Sequence, residues 1–351
     1  MTRICILGGG NIAHALAGEL SLNSDISVDV LTRKPQKWSN VIELHKDDRM
    51  LISNPIHVTD DKNILKKADV VIVSLPATVR FEYLQSIRNF INKKAMFITM
   101  PSTGGINFLL ERIFPDNSYA CFQRVSCIAR IISYGHSVNS QTKQNVDIYF
   151  SKNTTSKQRQ LIQDIFNMKI SQLNTYWPLF LSNSNPIIHI ARICEILNNY
   201  PSNKNPFFYE EWGDYASELA INMDKELSNI FNELKVHELK DLLTHYEVNN
   251  SKELTVKINS IASFKQIKSP MIEKNGKYYF DINSRYLVED LPFGTCFIKY
   301  FAEKLGIQTP NIDYAIEQVQ KIIGKKFIVD CKLNFKEWTE ALGFDFKQYY
   351  N

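Results

Sequence analysis

Ile4-Cys5-Ile6-Leu7-Gly8-Gly9-Gly10-Asn11-Ile12-Ala13-His14-Ala15-Leu16-Ala17 reads as a buried strand, a glycine turn and the opening of a helix. The run Ile4 to Leu7 is continuously apolar, the pattern of a parallel strand covered on both faces, and it stops at three glycines. Gly8 supplies a tight turn, Gly10 lets the backbone approach a pyrophosphate, and Ala13 stands where close helix-to-strand packing takes Gly or Ala. The first helical turn, through Asn11, Ile12 and Ala13, has free N–H groups to face phosphates. An ordinary strand-to-helix turn is the plainer alternative. The order strand, glycines, alanine-rich helix is what dinucleotide binding requires.

Working outward, Ser27 to Thr32 alternates and meets Arg33-Lys34-Pro35, a second strand and the loop leaving it, where an adenosine ribose is met in such folds. A short strand near Ile56-His57-Val58 precedes a polar helix. Ala68 to Ser74 gives an interior strand ended by Leu75-Pro76. A helix over Thr78 to Asn92, a strand over Ala95 to Met100 and a further helix after Pro101-Ser102-Thr103-Gly104-Gly105 continue the alternation, which implies a right-handed, doubly wound parallel sheet. Short strands follow between Tyr119 and Phe150, then a helix over Thr155 to Asn167 and a strand near Ile170 to Leu173.

At Asn183-Ser184-Asn185-Pro186 the character changes, with a polar breaker and a helix-starting proline. Helices are expected over Pro186 to Asn198, Glu211 to Leu234, Lys235 to Tyr246, after Leu291, and over Asn311 to Ile323 and Asn334 to Leu342. The expected class is therefore α/β: a Rossmann-type doubly wound parallel sheet over residues 1–183, then an all-helical domain over 184–351.

With 351 residues and 44% hydrophobic residues the chain has material for two cored domains, and a net charge of +4 is too mild for a nucleic-acid binder. No apolar run has the length of a membrane span, which points to a cytoplasmic protein. Cys5, Cys121, Cys127, Cys194, Cys296 and Cys331 lack metal-ligand spacing, so no metal is expected.

Two places in the helical half carry the residue types of catalysis. His189 sits in the first turn of an apolar helix; it is either an acid–base group or a satisfied core or capping histidine. The block Asn283-Ser284-Arg285-Tyr286-Leu287-Val288-Glu289-Asp290-Leu291-Pro292-Phe293-Gly294 packs a cation and two acids beside a turn. Arg285 suits a substrate carboxylate and Asp290 suits holding an imidazole, unless the two simply brace a loop. Tyr209-Glu210-Glu211 reads as a surface helix start or as a contact for an amino substrate.

On these residues the chain resembles the octopine/opine dehydrogenase family over nearly its whole length. Gly8 to His14 resembles that family's glycine turn, Met100-Pro101-Ser102-Thr103-Gly104-Gly105 its loop after the fifth strand, and Ser284 to Gly294 its Arg-Tyr-x-x-Glu-Asp-x-Pro-x-Gly signature. The tail from Ile322 to Asp330 fits its C-terminal helix and strand-like end. The resemblance implies NAD(P)H-dependent reductive condensation of an α-keto acid with an amino acid through an imine. It makes His189 the acid/base group, Asp290 its orienting partner and Arg285 the carboxylate clamp. The chain departs from the family in having Ile190 after the histidine, with Pro186 before it, and no acid after the second strand.

Cofactor contacts are expected at Gly8, Gly10, Asn11, Ile12, Ala13, Thr32, Arg33, Ser74 and Pro76, with NADPH favoured over NADH because Thr32 and Arg33 stand where an NAD enzyme often places an acid. Substrate is expected at the carboxyl ends of the parallel strands, near Ser102 and Thr103, with Arg285 reaching it from the helical half. The expected partners are a small keto acid and an amino acid, with no nucleic acid and no membrane, and a homodimer is the assembly allowed for. A reductase of a simple keto or hydroxy acid and a non-catalytic dinucleotide sensor are the competing functions; the former leans on a catalytic lysine, for which no residue here is as well placed as His189.

Overall fold

The computed structural model describes every residue except Asp47, Asn183 and Asn351. The chain forms two compact units, Met1–Leu179 with the last residues from Tyr349, and Phe180–Gln348. Asn183, at the expected change of character, lies outside the described residues.

In the first unit the elements run β1 (Thr2–Leu7), α1 (Asn11–Ser21), β2 (Ile26–Leu31), β3 (Glu43–Lys46), β4 (Arg49–Ile52), β5 (His57–Thr59), β6 (Val70–Val73), α2 (Ala77–Ile87), β7 (Met96–Thr99), α3 (Ile106–Ile113), β8 (Tyr119–Phe122), β9 (Cys127–Ser133), β10 (Ser137–Thr142), β11 (Asn145–Phe150), α4 (Ser156–Phe166) and β12 (Lys169–Gln172). An eight-stranded sheet has the order β12-β11-β8-β7-β6-β1-β2-β5. Its pairs are parallel except β11 with β8. The continuous apolar runs lie at its centre: Ile4 to Leu7 and Val70 to Val73 are all 0% exposed, as strands covered on both faces must be.

A second sheet, β4-β3-β10-β9, is absent from the sequence reading. Its strands β3 and β4 are only four residues each, and β3 finds its partner in the distant β10, a parallel pairing no local pattern announces. This sheet packs on α1: Gly18 leaves room for Ile42, whose side chain a Cβ there would meet at 3.5 Å.

After the short turn α5 (Trp177–Phe180), the second unit is built on α6 (Asn185–Asn199), α7 (Asp214–Glu233), α8 (Leu242–Tyr246), α9 (Ser251–Ser260), a π-helix (Tyr286–Thr295), α10 (Cys296–Leu305), α11 (Pro310–Ile323), α12 (Phe335–Leu342) and α13 (Phe346–Tyr350), the last running into the terminal residues. It is helical with two additions, the antiparallel hairpins β13 (Met271–Lys274) with β14 (Lys277–Phe280) and β15 (Ile328–Val329) with β16 (Lys332–Leu333). The helix expected over 235–246 shrinks to α8, because Lys235 takes a φ of +55° and Asp241 caps a new start at the Thr244 N–H. Among the described residues no helix is long and apolar enough to cross a membrane.

Candidate active site

The glycine turn is built for a ligand's backbone contacts. Gly8 has a φ of +112°, a conformation side chains rarely adopt, and donates to the Leu31 carbonyl at 3.0 Å. A Cβ on Gly9 would lie 2.6 Å from the Tyr134 hydroxyl and 2.9 Å from Thr32 Oγ1, whereas one on Gly10 would meet nothing within 4 Å. Gly10 is the N-cap of α1 and no side chain caps that helix. The open space therefore lies where the first-turn N–H groups need acceptors, which fits the pyrophosphate of a dinucleotide.

The second sheet braces this turn. Asn11 Oδ1 accepts from the Ile131 N–H of β9 at 2.9 Å, which spends the Asn11 side chain on the scaffold. His14 Nε2 accepts from the Gly135 N–H at 2.7 Å, so the ring is neutral and its Nδ1–H donates to the Gly10 carbonyl at 2.9 Å. Burial lowers the His14 pKa, only partly offset by that carbonyl bond, and the ring packs 3.9 Å from Trp38.

The remaining expected cofactor residues fall around the sheet's carboxyl edge. Ala13 is fully buried and Ile12 half-buried in α1. Thr32 is buried just past β2, while Arg33 is exposed in the loop that follows. Ser74 Oγ donates to the Leu7 carbonyl at 3.0 Å, tying the end of β6 to the glycine turn, and Pro76 is the N-cap of α2.

Ser102 and Thr103 are both engaged by the protein's own loops. Ser102 is 0% exposed and its hydroxyl bonds the Thr99 hydroxyl at 2.5 Å and the Thr99 carbonyl at 3.0 Å. Its hydroxyl shapes the loop. Thr103 contributes its carbonyl to Arg80, whose buried guanidinium also takes the carbonyls of Leu75 at 2.9 Å and Pro101 at 2.9 Å. Arg80 thus ties together the loops leaving β6 and β7.

In the second unit the structure joins His189 and Asp290. Nδ1 of the imidazole lies 2.7 Å from Asp290 Oδ2 across 101 residues of chain. A close approach makes this possible. Asp290 lies in the π-helix, whose wider turn accommodates Pro292, and Gly294 sits where a Cβ would be 2.5 Å from Pro186 Cγ. Thr295 Oγ1 then donates to the Pro186 carbonyl at 2.7 Å and the Trp338 indole to the Pro292 carbonyl at 2.7 Å. Pro186 opens α6 and His189 is one turn on, so pinning Pro186 sets the distance from imidazole to carboxylate.

Arg285 is the N-cap of the same π-helix; its Nε donates to Glu289 Oε2 at 2.8 Å and its side chain is 75% exposed. The arginine pairs with Glu289 and not with Asp290, so the simple Arg–Asp brace is not what the block forms. Glu289 braces the arginine, and Asp290 is left to the histidine.

Tyr209, readable as a surface helix start or as a contact for an amino substrate, is placed beside His189. It is no helix start, since α7 begins only at Asp214; it is 7% exposed with its hydroxyl 2.7 Å from His189 Nε2. Both imidazole nitrogens are thus engaged. Arg192, one turn beyond His189, holds the segment in place by donating to the carbonyls of Phe208 at 2.7 Å and Phe207 at 3.0 Å. Its charge is paired with Glu195, which in turn accepts from the Gly213 N–H at 3.1 Å. The signal was an Arg and a Glu three apart on an otherwise apolar helix.

Comparison with known proteins agrees with this geometry. Residues 172–323 match the model of the NAD/NADP octopine/nopaline dehydrogenase alpha-helical domain, and residues 3–100 match a model of coenzyme F420-dependent NADP oxidoreductases. The octopine dehydrogenase of Pecten maximus is 25% identical over 95% of this chain and 94% of its own. The tauropine dehydrogenase of Arabella iricolor is 23% identical over 96% and 95%. Among solved structures, octopine dehydrogenase with NADH and L-arginine shares the fold at a TM-score of 0.85, with 24% identity over 98% of this chain and 96% of that one. Yersinopine dehydrogenase shares it at 0.72, with 13% identity over 100% and 98%. A glycine turn shaped for a dinucleotide, a histidine–aspartate pair assembled by the π-helix signature and full-length likeness to these enzymes lead to one conclusion: residues 172–323 carry an octopine/nopaline dehydrogenase alpha-helical domain, and the chain is an NAD(P)-dependent oxidoreductase acting on CH–NH groups, similar to the opine dehydrogenases.

Proposed function

We propose that His189, Asp290 and Arg285 carry the reductive condensation of an α-keto acid such as pyruvate with the amino group of an amino acid. The observation that carries this assignment is the 2.7 Å contact of His189 Nδ1 with Asp290, on the helix that also carries Arg285. When bound, the reduced nicotinamide supplies the hydride that ends on the former keto carbon. The chain's own residues bind and move protons. Arg285, held at Nε by Glu289, turns its terminal nitrogens to the keto-acid carboxylate. His189 takes a proton from the substrate ammonium, the freed amine adds to the keto carbon and passes one of its own protons to the new alkoxide, and the imidazolium returns the first proton to that hydroxyl as water leaves. The imine carbon is then ready for hydride. Asp290 fixes the ring's orientation and tautomer.

Cofactor oxidation is the test, with keto acid and amino acid supplied together and each omitted in turn. Oxidation only with both substrates is expected. Oxidation by keto acid alone identifies a simple reductase and overturns the assignment.

NADPH is the preferred cofactor. The support is the loop after β2, where Thr32-Arg33-Lys34 holds a buried hydroxyl, an exposed cation and no acid to meet a ribose. Arg33→Ala should weaken NADPH roughly tenfold, the scale of one charge-assisted hydrogen bond, and leave NADH nearly unchanged. Equal weakening of both in a binding titration rejects the preference.

A further inference from the structure

Nε2 of His189, the nitrogen an acid–base mechanism needs, is covered by Tyr209. Either the tyrosine swings away when substrate arrives or the proton goes through it. The packing decides between them. The Phe207 and Phe208 carbonyls are held by the buried Arg192. The Phe207 N–H donates to Glu211 at 2.9 Å and the Phe208 N–H to the Ile267 carbonyl at 2.7 Å. The Tyr209 ring stacks on Phe264 with centroids 4.1 Å apart at 20°, and the Trp212 N–H returns to the Tyr209 carbonyl at 3.1 Å. Moving the phenol aside would break a stack and strain a segment fixed on both sides.

We propose that Tyr209 is a proton relay, so that His189 exchanges protons with the substrate through the Tyr209 hydroxyl. This rests on the reductive-condensation reading above. A phenol both donates and accepts. In the forward step the substrate N–H bond breaks and its proton bonds to Tyr209 Oη as the Tyr209 proton passes to His189 Nε2, leaving neutral tyrosine, free amine and imidazolium. When water departs, the two protons move in the opposite sense: imidazolium to Tyr209, Tyr209 to the leaving hydroxyl. Charge and protons balance over the two steps with no outside acid. Burial, reinforced by Tyr286, Tyr246 and Asp290, holds the Tyr209 phenol above its ordinary range, so the two hops are concerted and no phenolate accumulates. On the far side of the ring Asp290 takes Nδ1–H, completing the chain carboxylate, imidazole, phenol.

Tyr209→Phe removes only the hydroxyl and keeps the stack. With wild type first shown to oxidise cofactor only when both substrates are present, the variant should lose about 10²–10³-fold in single-turnover rate, within the usual range for a proton-transfer group, while cofactor binding and the keto-acid KM change less than threefold. The limb of the pH–rate profile that His189→Gln abolishes should vanish in Tyr209→Phe as well, and the double variant should be no slower than His189→Gln alone. A merely structural tyrosine would lower the rate and keep that limb. A second measurement needs no variant: in mixtures of H2O and D2O, wild-type single turnovers should slow along a curved line, two protons moving together, and a straight line or no slowing overturns the relay. A Tyr209→Phe rate within threefold of wild type, or a kept limb, overturns the relay while the reading stands. Absence of amine-dependent turnover in wild type overturns both.

Discussion

The glycine turn and the histidine–aspartate pair were made in opposite ways. The turn is contiguous, residues 8 to 14, and the chain's local stereochemistry nearly determines it: a φ of +112° at Gly8, no room for a side chain at Gly9, open space at Gly10. The pair joins residues 101 apart, and its distance is fixed by contacts elsewhere, chiefly Gly294 against Pro186 and Thr295 on the Pro186 carbonyl. A turn can be written locally in backbone, whereas the histidine–aspartate contact depends on tertiary packing. Damage to the second site should therefore spread from residues that touch no substrate, and damage to the first should stay local.

The largest effect tests the pair itself. His189→Gln should lose turnover by about 10²–10⁴-fold with dinucleotide binding intact. Asp290→Asn should lose part of that, and the double variant should match the histidine variant, because both disable one proton-handling unit. A double-variant defect equal to the sum of the singles would show two independent groups.

Next in size is Arg285→Lys, which keeps the charge but loses the planar fork. The keto-acid KM should rise roughly tenfold or more, on the scale of a charge-assisted hydrogen bond, with cofactor affinity unchanged. A wild-type KM moves the carboxylate clamp to another residue.

Gly294→Ala sharpens the contrast. Its Cβ would sit 2.5 Å from Pro186 Cγ, so α6 or the π-helix must shift. Overpacking of this kind typically costs about 1–3 kcal/mol. Turnover should fall and stability with it, although residue 294 is expected to touch neither substrate nor cofactor. Calorimetry with kinetics reads both, and full activity would show that the pair does not depend on this approach.

The smallest effect belongs to the turn. His14 is neutral in the fold because burial lowers its pKa, whereas the unfolded residue titrates near the usual value of about 6.5. The unfolded chain therefore binds a proton that the folded one refuses as pH falls below that value. Stability from this group is complete above about pH 6.5 and is lost as pH falls through the folded value. His14→Gln should flatten the acid side of the thermal-stability profile, and an unchanged slope would assign it to another group.

Much of this was legible in the sequence, for reasons that differ by element. Strands β1 and β6 are continuous apolar runs, and α4 carries its own start in a Thr155–Gln158 capping box. His189 was flagged by its place in the first turn of α6, Asp290 by the signature block. Helix α9 was missed although Asn250 caps the Glu253 N–H, an Asn-x-x-Glu start that was present to be read. The π-helix was not legible, since Pro292 inside it reads as a breaker and only a wider turn absorbs it. Tyr209 was visible as a residue and opaque as a partner; its position depends on Arg192 catching two carbonyls 15 and 16 residues on. Ser102 was less informative, because a serine at the carboxyl edge of a parallel sheet suits a ligand and a loop equally well, and its hydroxyl bonds the loop.

The central claim is that hydride goes to a carbon bonded to nitrogen. NADPH carrying deuterium at the transferable position, supplied with pyruvate and a panel of amino acids, tests it directly by mass spectrometry of the products. The account predicts a secondary-amine dicarboxylate with one deuterium on the former keto carbon. Deuterium found instead in a hydroxy acid, with the amino acid unchanged, would contradict it.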